Sequence, residues 1–146
     1  MKIMTIILFS IIILFSIIHF NIKNIPYFEA KIKEAACIAP IHGYDYVTCN
    51  DLVVIINRDL LTIPTGFKTD LATIPRWYWP IASPARGDLI QASIVHDYLY
   101  TNSMRFTRKQ CDAIFYRLLL SNGASSAMAV QAYLAVRIFG GSHFNG

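Results

Sequence analysis

His96 and Asp97 stand side by side, Tyr100 follows one helical turn later, and Asp112 lies twelve residues beyond Tyr100. Neighbouring side chains on a helix diverge by about 100°. His96 and Asp97 would therefore not easily grip one metal ion together, but they can line two sides of one cleft. Tyr100 is four residues after His96 and three after Asp97, so its hydroxyl can reach either group. If this helix and the one carrying Asp112 form an antiparallel hairpin across Thr101–Phe106, Asp112 faces His96. The chemistry is then that of a His–Asp dyad. A neutral imidazole takes a proton from water, while a carboxylate on its other nitrogen fixes the tautomer and stabilises the imidazolium. Asp97 is left to ligate a hard cation such as calcium through oxygen. The purely structural alternative is a hydrogen-bonded core histidine, an Asp97–Arg105 pair, and an Asp112–Arg108 pair at i, i+4. Asp70 is placed to cap a short helix over residues 71–74. Arg76, between Pro75 and Trp77, is placed to stack on an aromatic ring or to pair with Asp70.

Three helices are expected to position these groups. The first covers about Asp88–Tyr100, with Leu89, Ala92, Ser93, His96 and Tyr100 on one face at i, i+3, i+4 spacing. The second opens on Thr107-Arg108-Lys109-Gln110, a capping box. Its apolar stripe is Cys111, Ile114, Phe115, Leu118 and Leu119, and Asn122-Gly123 ends it. The third covers about Ser125–Phe139 and stops at Gly140-Gly141. Ahead of the helices lie three β-like runs, Tyr44–Cys49, Leu52–Asn57 and Leu60–Pro64. Asn50-Asp51 and Arg58-Asp59 separate them, which reads as a small antiparallel meander. Thr65-Gly66-Phe67 is a turn with glycine where φ is positive. Glu29–Ala36 reads as a strand or a short helix, and Ala39–Gly43 as a loop. Residues 74–87, IPRWYWPIASPARG, hold three prolines and two tryptophans and cannot be one helix or strand. Their aromatic bulk is expected over the core or at a lipid interface. The class is α+β: a small antiparallel sheet, an aromatic-rich loop and a layer of three C-terminal helices.

Residues 3–20, IMTIILFSIIILFSIIHF, contain no Asp, Glu, Lys or Arg. As a helix they span about 27 Å, close to the hydrocarbon thickness of roughly 30 Å. The stretch exceeds the usual apolar length of a signal peptide, and no small-x-small cleavage site follows it closely. The expected organisation is a membrane anchor over 1–22, a connector over 23–43 and a globular domain over 44–146. Lys2 favours an N-terminus inside, with the domain outside the cytoplasm at the inner membrane, although Lys23, Lys31 and Lys33 pull the other way.

Two resemblances bear on function. The blocks Pro64-Thr65-Gly66-Phe67-Lys68-Thr69-Asp70-Leu71-Ala72-Thr73-Ile74-Pro75-Arg76, Ala92–Tyr100 with its His96-Asp97-Tyr98-Leu99-Tyr100, Arg108 with Cys111–Phe115, and Ala135–Gly140 resemble a family of small phage and prophage proteins. That family is catalogued as a domain of unknown function. The match covers about residues 45–141 and implies a phage or prophage origin, with no established activity. The shorter pattern His96-Asp97-x-x-Tyr100 followed by Asp112 is similar to phospholipases A2. That resemblance implies His96 as the base, Asp97 as a calcium ligand, Tyr100 as its support and Asp112 as the orienting carboxylate. Residues 66–70, Asp70 included, would then supply further oxygens to calcium. The Gly-rich calcium loop and flanking disulfides of such enzymes are missing.

Composition narrows the classes. The 146 residues suit one domain, with 55% apolar and 15% charged residues against about 25% charged in an average domain. This excludes a disordered or collagen-like chain. The net charge is +4, yet no basic run exists and the densest cluster is Arg105, Arg108 and Lys109. That is no nucleic-acid footprint, and it suits an anionic membrane surface. Cys37, Cys49 and Cys111 lack C-x-x-C spacing, which argues against zinc. Cys37 and Cys49 can pair in an oxidising compartment, or all three can be small buried hydrophobes. Two functions stand as expectations. One is a membrane-anchored phage or prophage accessory protein that binds or blocks a host or phage envelope component without catalysis. The other is a calcium-dependent lipid or ester hydrolase built on His96.

Overall fold

Helix α1 (Lys2–Lys23) carries the apolar run. Its span Ile6–Lys23 has a mean hydropathy of 2.2, and none of it is buried against the rest of the chain. It is long and apolar enough to cross a bilayer. The computed structural model describes residues 2–71, 87–102 and 105–145. The aromatic stretch at 74–86, Arg76 and residues 72–74 of the short helix expected at 71–74 lie outside the described residues, and Leu71, with φ of 52°, is not helical.

The class is α+β, with six strands in two three-stranded antiparallel sheets among the described residues. β1 (Ala30–Glu34), β4 (Leu52–Ile56) and β5 (Asp59–Ile63) form one sheet with β4 central. β4 alternates as a half-buried strand should: Leu52, Val54 and Ile56 point into the core. The β4–β5 hairpin closes on Asn57 and Arg58, with φ of 49° and 73°. Two positive φ angles give the turn the hand that matches strand twist. Asn57 also ties back to Glu29, where its Oδ1 accepts from the Glu29 N–H at 3.0 Å.

β2 (Ile38–His42), β3 (Asp45–Thr48) and β6 (Lys68–Thr69) form the second sheet, in the order β2-β3-β6. The three expected strand runs thus divide between two sheets instead of forming one meander. Thr48 supplies the reason. Its N–H donates to Phe67 O at 3.0 Å, its hydroxyl donates to Pro64 O at 2.9 Å and accepts from Phe67 N at 3.0 Å. These bonds hold β3 to the turn after β5 and draw it away from β4. Ala39–Gly43, expected as a loop, is mostly strand β2. Pro40 is tolerated there because β2 is an edge strand. Residues 23–43 therefore contribute a strand to each sheet, and residues 30–34 are strand.

The helices are α2 (Gly87–Thr101), α3 (Arg108–Ser121) and α4 (Ser126–Phe139). A short 3-10 turn, Gly140–His143, continues from α4 where a stop was expected. Thr107 and Gln110 form the capping box of α3, and Asn122 caps its end. The expected faces are buried, Leu89, Ala92, Ser93, His96 and Tyr100 on α2 and Cys111, Ile114, Phe115, Leu118 and Leu119 on α3, but α2 also buries Ile94, Val95 and Leu99 outside its expected face, and α3 buries Asp112 and Ala113. His96 packs against Phe115 at 5.0 Å while Tyr100 bonds Asp112, so α2 and α3 run antiparallel. Likewise Asp112 bonds Arg137 while Tyr116 packs on Tyr133 at 5.9 Å, so α4 reverses again. Gln91 joins this layer to the strands: its amide both accepts from and donates to the Ala36 backbone, at 3.0 and 2.8 Å.

Candidate active site

The antiparallel α2–α3 hairpin brings three of the expected residues together. His96 Nε2 lies 2.8 Å from Asp112 Oδ1, and the Tyr100 hydroxyl donates to the same oxygen at 2.5 Å. Asp112 Oδ2 accepts from Arg137 Nη1 at 2.7 Å. Asp112 is fully buried and His96 is 2% exposed. Burial alone pushes the Asp112 carboxyl pKa up, but the hydrogen bonds from His96, Tyr100 and Arg137 outweigh it and hold the net value below the ordinary one. An ionised carboxylate accepts only, so His96 Nε2 carries the hydrogen toward Asp112. In the neutral ring Nδ1 is then the basic atom, and this buried atom has no hydrogen-bond partner among the described residues. Burial, reinforced by Asp112, pushes the Tyr100 phenol well above its ordinary range, so Tyr100 stays a donor.

His96 lines a cavity of about 750 Å³ between the second sheet, α2 and the chain after α4. Ile41, Phe67 and Phe139 give its wall apolar area, while Lys68 and His143 bring basic groups. Asp70 and Asp97 line the same cavity. Asp97 does not pair with Arg105: its Oδ2 accepts from the Thr69 hydroxyl, which in turn accepts from Leu71 N at 3.0 Å. Arg105 pairs instead with Asp59. Arg108 does not pair with Asp112 but donates to the Val136 and Arg137 carbonyls at the end of α4, at 3.0 and 2.6 Å. There it offsets the negative end of the helix. Asp97 and Asp70, the two expected metal ligands, share a wall, but no group of three or more His, Cys, Asp or Glu suited to an ion occurs among the described residues.

Two contributors escaped sequence reasoning. Arg137 lies 25 residues beyond Asp112, and its signals were a basic residue in the last turn of α4 and its place in the Ala135–Gly140 block. Gly140 matters through what it lacks: a Cβ there would sit 3.1 Å from the Tyr100 hydroxyl. Its hydrogen lets the chain after α4 lie against the tyrosine that supports Asp112.

A family model described as Protein of unknown function (DUF1353) matches residues 45–136. That range contains Asp70, His96, Asp97, Tyr100 and Asp112, and stops one residue short of Arg137. A relative named Uncharacterized protein y4jT, from Sinorhizobium fredii (strain NBRC 101917 / NGR234), is 34% identical over 79 residues, which is 53% of this chain and 23% of the relative. The chain therefore corresponds to under a quarter of that relative's length. No solved structure matches. Neither match is to a phospholipase, and the three cysteines are free, so the resemblance to phospholipases A2 is not borne out.

Proposed function

Because the chain belongs to the family described as Protein of unknown function (DUF1353), whose description carries no activity, we propose a function from its geometry: a membrane-tethered hydrolase of lipid or other esters, with His96 as general base. One observation carries the reading. The buried imidazole of His96 uses Nε2 on an ionised carboxylate and keeps Nδ1 without a partner among the described residues, on a ring that lines a cavity of about 750 Å³. A purely structural histidine, so buried, would be expected to satisfy both nitrogens.

In this reading His96 Nδ1 takes the proton of an attacking water. Asp112 holds the ring in the required tautomer and stabilises the imidazolium, and Tyr100 and Arg137 hold Asp112. The apolar wall of Ile41, Phe67 and Phe139 takes the acyl part of the substrate, and Lys68 offsets charge developing on the carbonyl oxygen. Helix α1 keeps the domain at a bilayer. The orientation proposed puts the domain outside the cytoplasm at the host inner membrane, and a phage or prophage source belongs to the same proposal. Calcium enters as a condition of the assay, because Asp97 and Asp70 both line the cavity.

The test is ester hydrolysis by the full chain in detergent, on phospholipid vesicles and on short acyl esters, with and without calcium. His96→Ala is expected to lower the rate by about 10²–10⁴ while the protein stays folded. Asp97→Asn is expected to remove any response to calcium. If the wild-type chain hydrolyses neither substrate at any calcium concentration and His96→Ala only lowers the melting temperature, the hydrolase reading is refuted. The function is then non-catalytic binding or blocking of an envelope component.

A further inference from the structure

Cys37 and Cys49 sit opposite one another across β2 and β3, one position beyond the register pair Ile38 and Thr48. The Cys49 N–H donates to Cys37 O at 3.0 Å, which extends the ladder to these two residues. Directly opposed residues in a hydrogen-bonded antiparallel pair have Cα atoms about 5.5 Å apart and side chains on the same face. That separation lies inside the range of about 4.4–6.8 Å that a disulfide spans. Both thiols are exposed, whereas Cys111 is buried. A side-chain hydrogen bond with Cys37 raises the Cys49 pKa, which fits two sulfurs in reach of each other.

The surroundings hold this pairing in place. Cys37 N donates to Asn50 Oδ1 at 2.8 Å, and Asn50 Nδ2 donates to Ala35 O at 3.1 Å. Both cysteines therefore stand at the neck where the chain leaves one sheet for the other, since β1 and β4 flank them in sequence. At the opposite end of the same β2–β3 pair, Ile41 and Asp45 line the cavity beside His96.

We propose that Cys37 and Cys49 are a disulfide site, joined across the neck of the β2–β3 pair by exchange with a low-molecular-weight disulfide or an oxidised dithiol protein. The Cys37 thiolate attacks the oxidant, forming a mixed disulfide and releasing one thiolate. The Cys49 thiolate then attacks Cys37 Sγ and releases the second. Two protein thiols are oxidised, one disulfide is reduced to two thiols, and the two protons end on those thiols. The bond closes a short loop and staples the strands that form one wall of the cavity. It does not depend on the hydrolase reading.

The experiment incubates the wild-type full chain in detergent with glutathione disulfide, quenches in acid, alkylates and maps the peptides by mass. The expected product is one Cys37–Cys49 cross-linked peptide pair and a chain lighter by two hydrogens, with Cys111 alkylated only after unfolding. Reduction should then lower the melting temperature by about 10 °C. Cys37→Ser should leave Cys49 as a glutathione adduct and remove that shift. Stable glutathione adducts on both cysteines of the wild-type chain would overturn the proposal. So would cross-links only between separate chains, or a shift that survives in Cys37→Ser. Once established, the state of this pair in cells reports which side of the membrane holds the domain, because such bonds persist in oxidising compartments.

Discussion

Asp112→Asn separates orientation from mere packing at the dyad. The carboxylate accepts from three donors: His96 Nε2 and the Tyr100 hydroxyl on Oδ1, and Arg137 Nη1 on Oδ2. An amide of the same shape has one oxygen and one NH2. Arg137 can only donate, so the amide oxygen turns to it and the NH2 faces His96 and Tyr100. The ring must then accept at Nε2, and its hydrogen moves to Nδ1. That is the wrong tautomer for a base at the cavity, and the rate should fall by about 10²–10⁴, the whole contribution of a general base. Stability should fall as well. The buried site loses one charge-assisted acceptor, but Arg137 is 27% exposed and partly rehydrated, so about 2–4 kcal/mol is expected, or a melting temperature lower by roughly 10 °C. Nitrogen NMR of histidine-labelled protein reads the tautomer directly, with His96→Ala identifying the signal. The wild type should show hydrogen on Nε2 and the variant on Nδ1. A variant that keeps the Nε2 hydrogen and still loses activity, or that switches tautomer and loses none, would refute the reasoning.

Folding lowers the Asp112 pKa, so its contribution to stability is full above the unfolded value of about 3.9 and disappears as pH falls through the lower folded value. Melting temperatures should therefore hold between about pH 5 and 7 and drop in acid, and Asp112→Asn should flatten part of that acid limb. Gly140→Ala places a methyl group 3.1 Å from the Tyr100 hydroxyl and should cost about 1–2 kcal/mol in thermal melts. Gly87→Ala, with nothing within 4 Å, should be neutral or slightly stabilising. The chain should stay in the membrane pellet after alkaline extraction, and deleting residues 2–23 should release it; a wild-type chain that alkali extracts would argue against an anchoring α1.

Much of the helical half was legible because its signals are local. The capping box at Thr107 and Gln110, the glycine after Asn122 and the i, i+3, i+4 faces of α2 and α3 need only the residues of one helix. The hairpin then followed from a short connection between two apolar helices, and with it the meeting of His96, Tyr100 and Asp112. Strand pairing is non-local, and there the reading was incomplete. Tyr44–Cys49 and Leu52–Asn57 each look like strands, but nothing within them says that Thr48 bonds to residues 64–67 and so sends β3 to a different sheet. Pro40 disguised β2, because a proline speaks against a strand unless that strand is an edge, and edge position is a property of the assembled sheet.

The site divides along the same line. Residue type and helical period already say which groups can do acid–base chemistry, that His96 and Tyr100 share a helical face, and that an apolar helix precedes the domain. That Asp112 is anchored by Arg137 and not Arg108, that Asp97 turns to Thr69 and not Arg105, and that Cys37 opposes Cys49 emerge only once the chain is folded. Arg108 could serve Asp112 as Arg137 does, and both Thr69 and Arg105 can donate to Asp97, so residue type alone does not choose. The choice is settled by packing α4 and the second sheet against α2 and α3, which brings Arg137 and Thr69 to the carboxylates, while Arg108 is taken by the carbonyls at the end of α4 and by the Tyr100 hydroxyl, and Arg105 by Asp59.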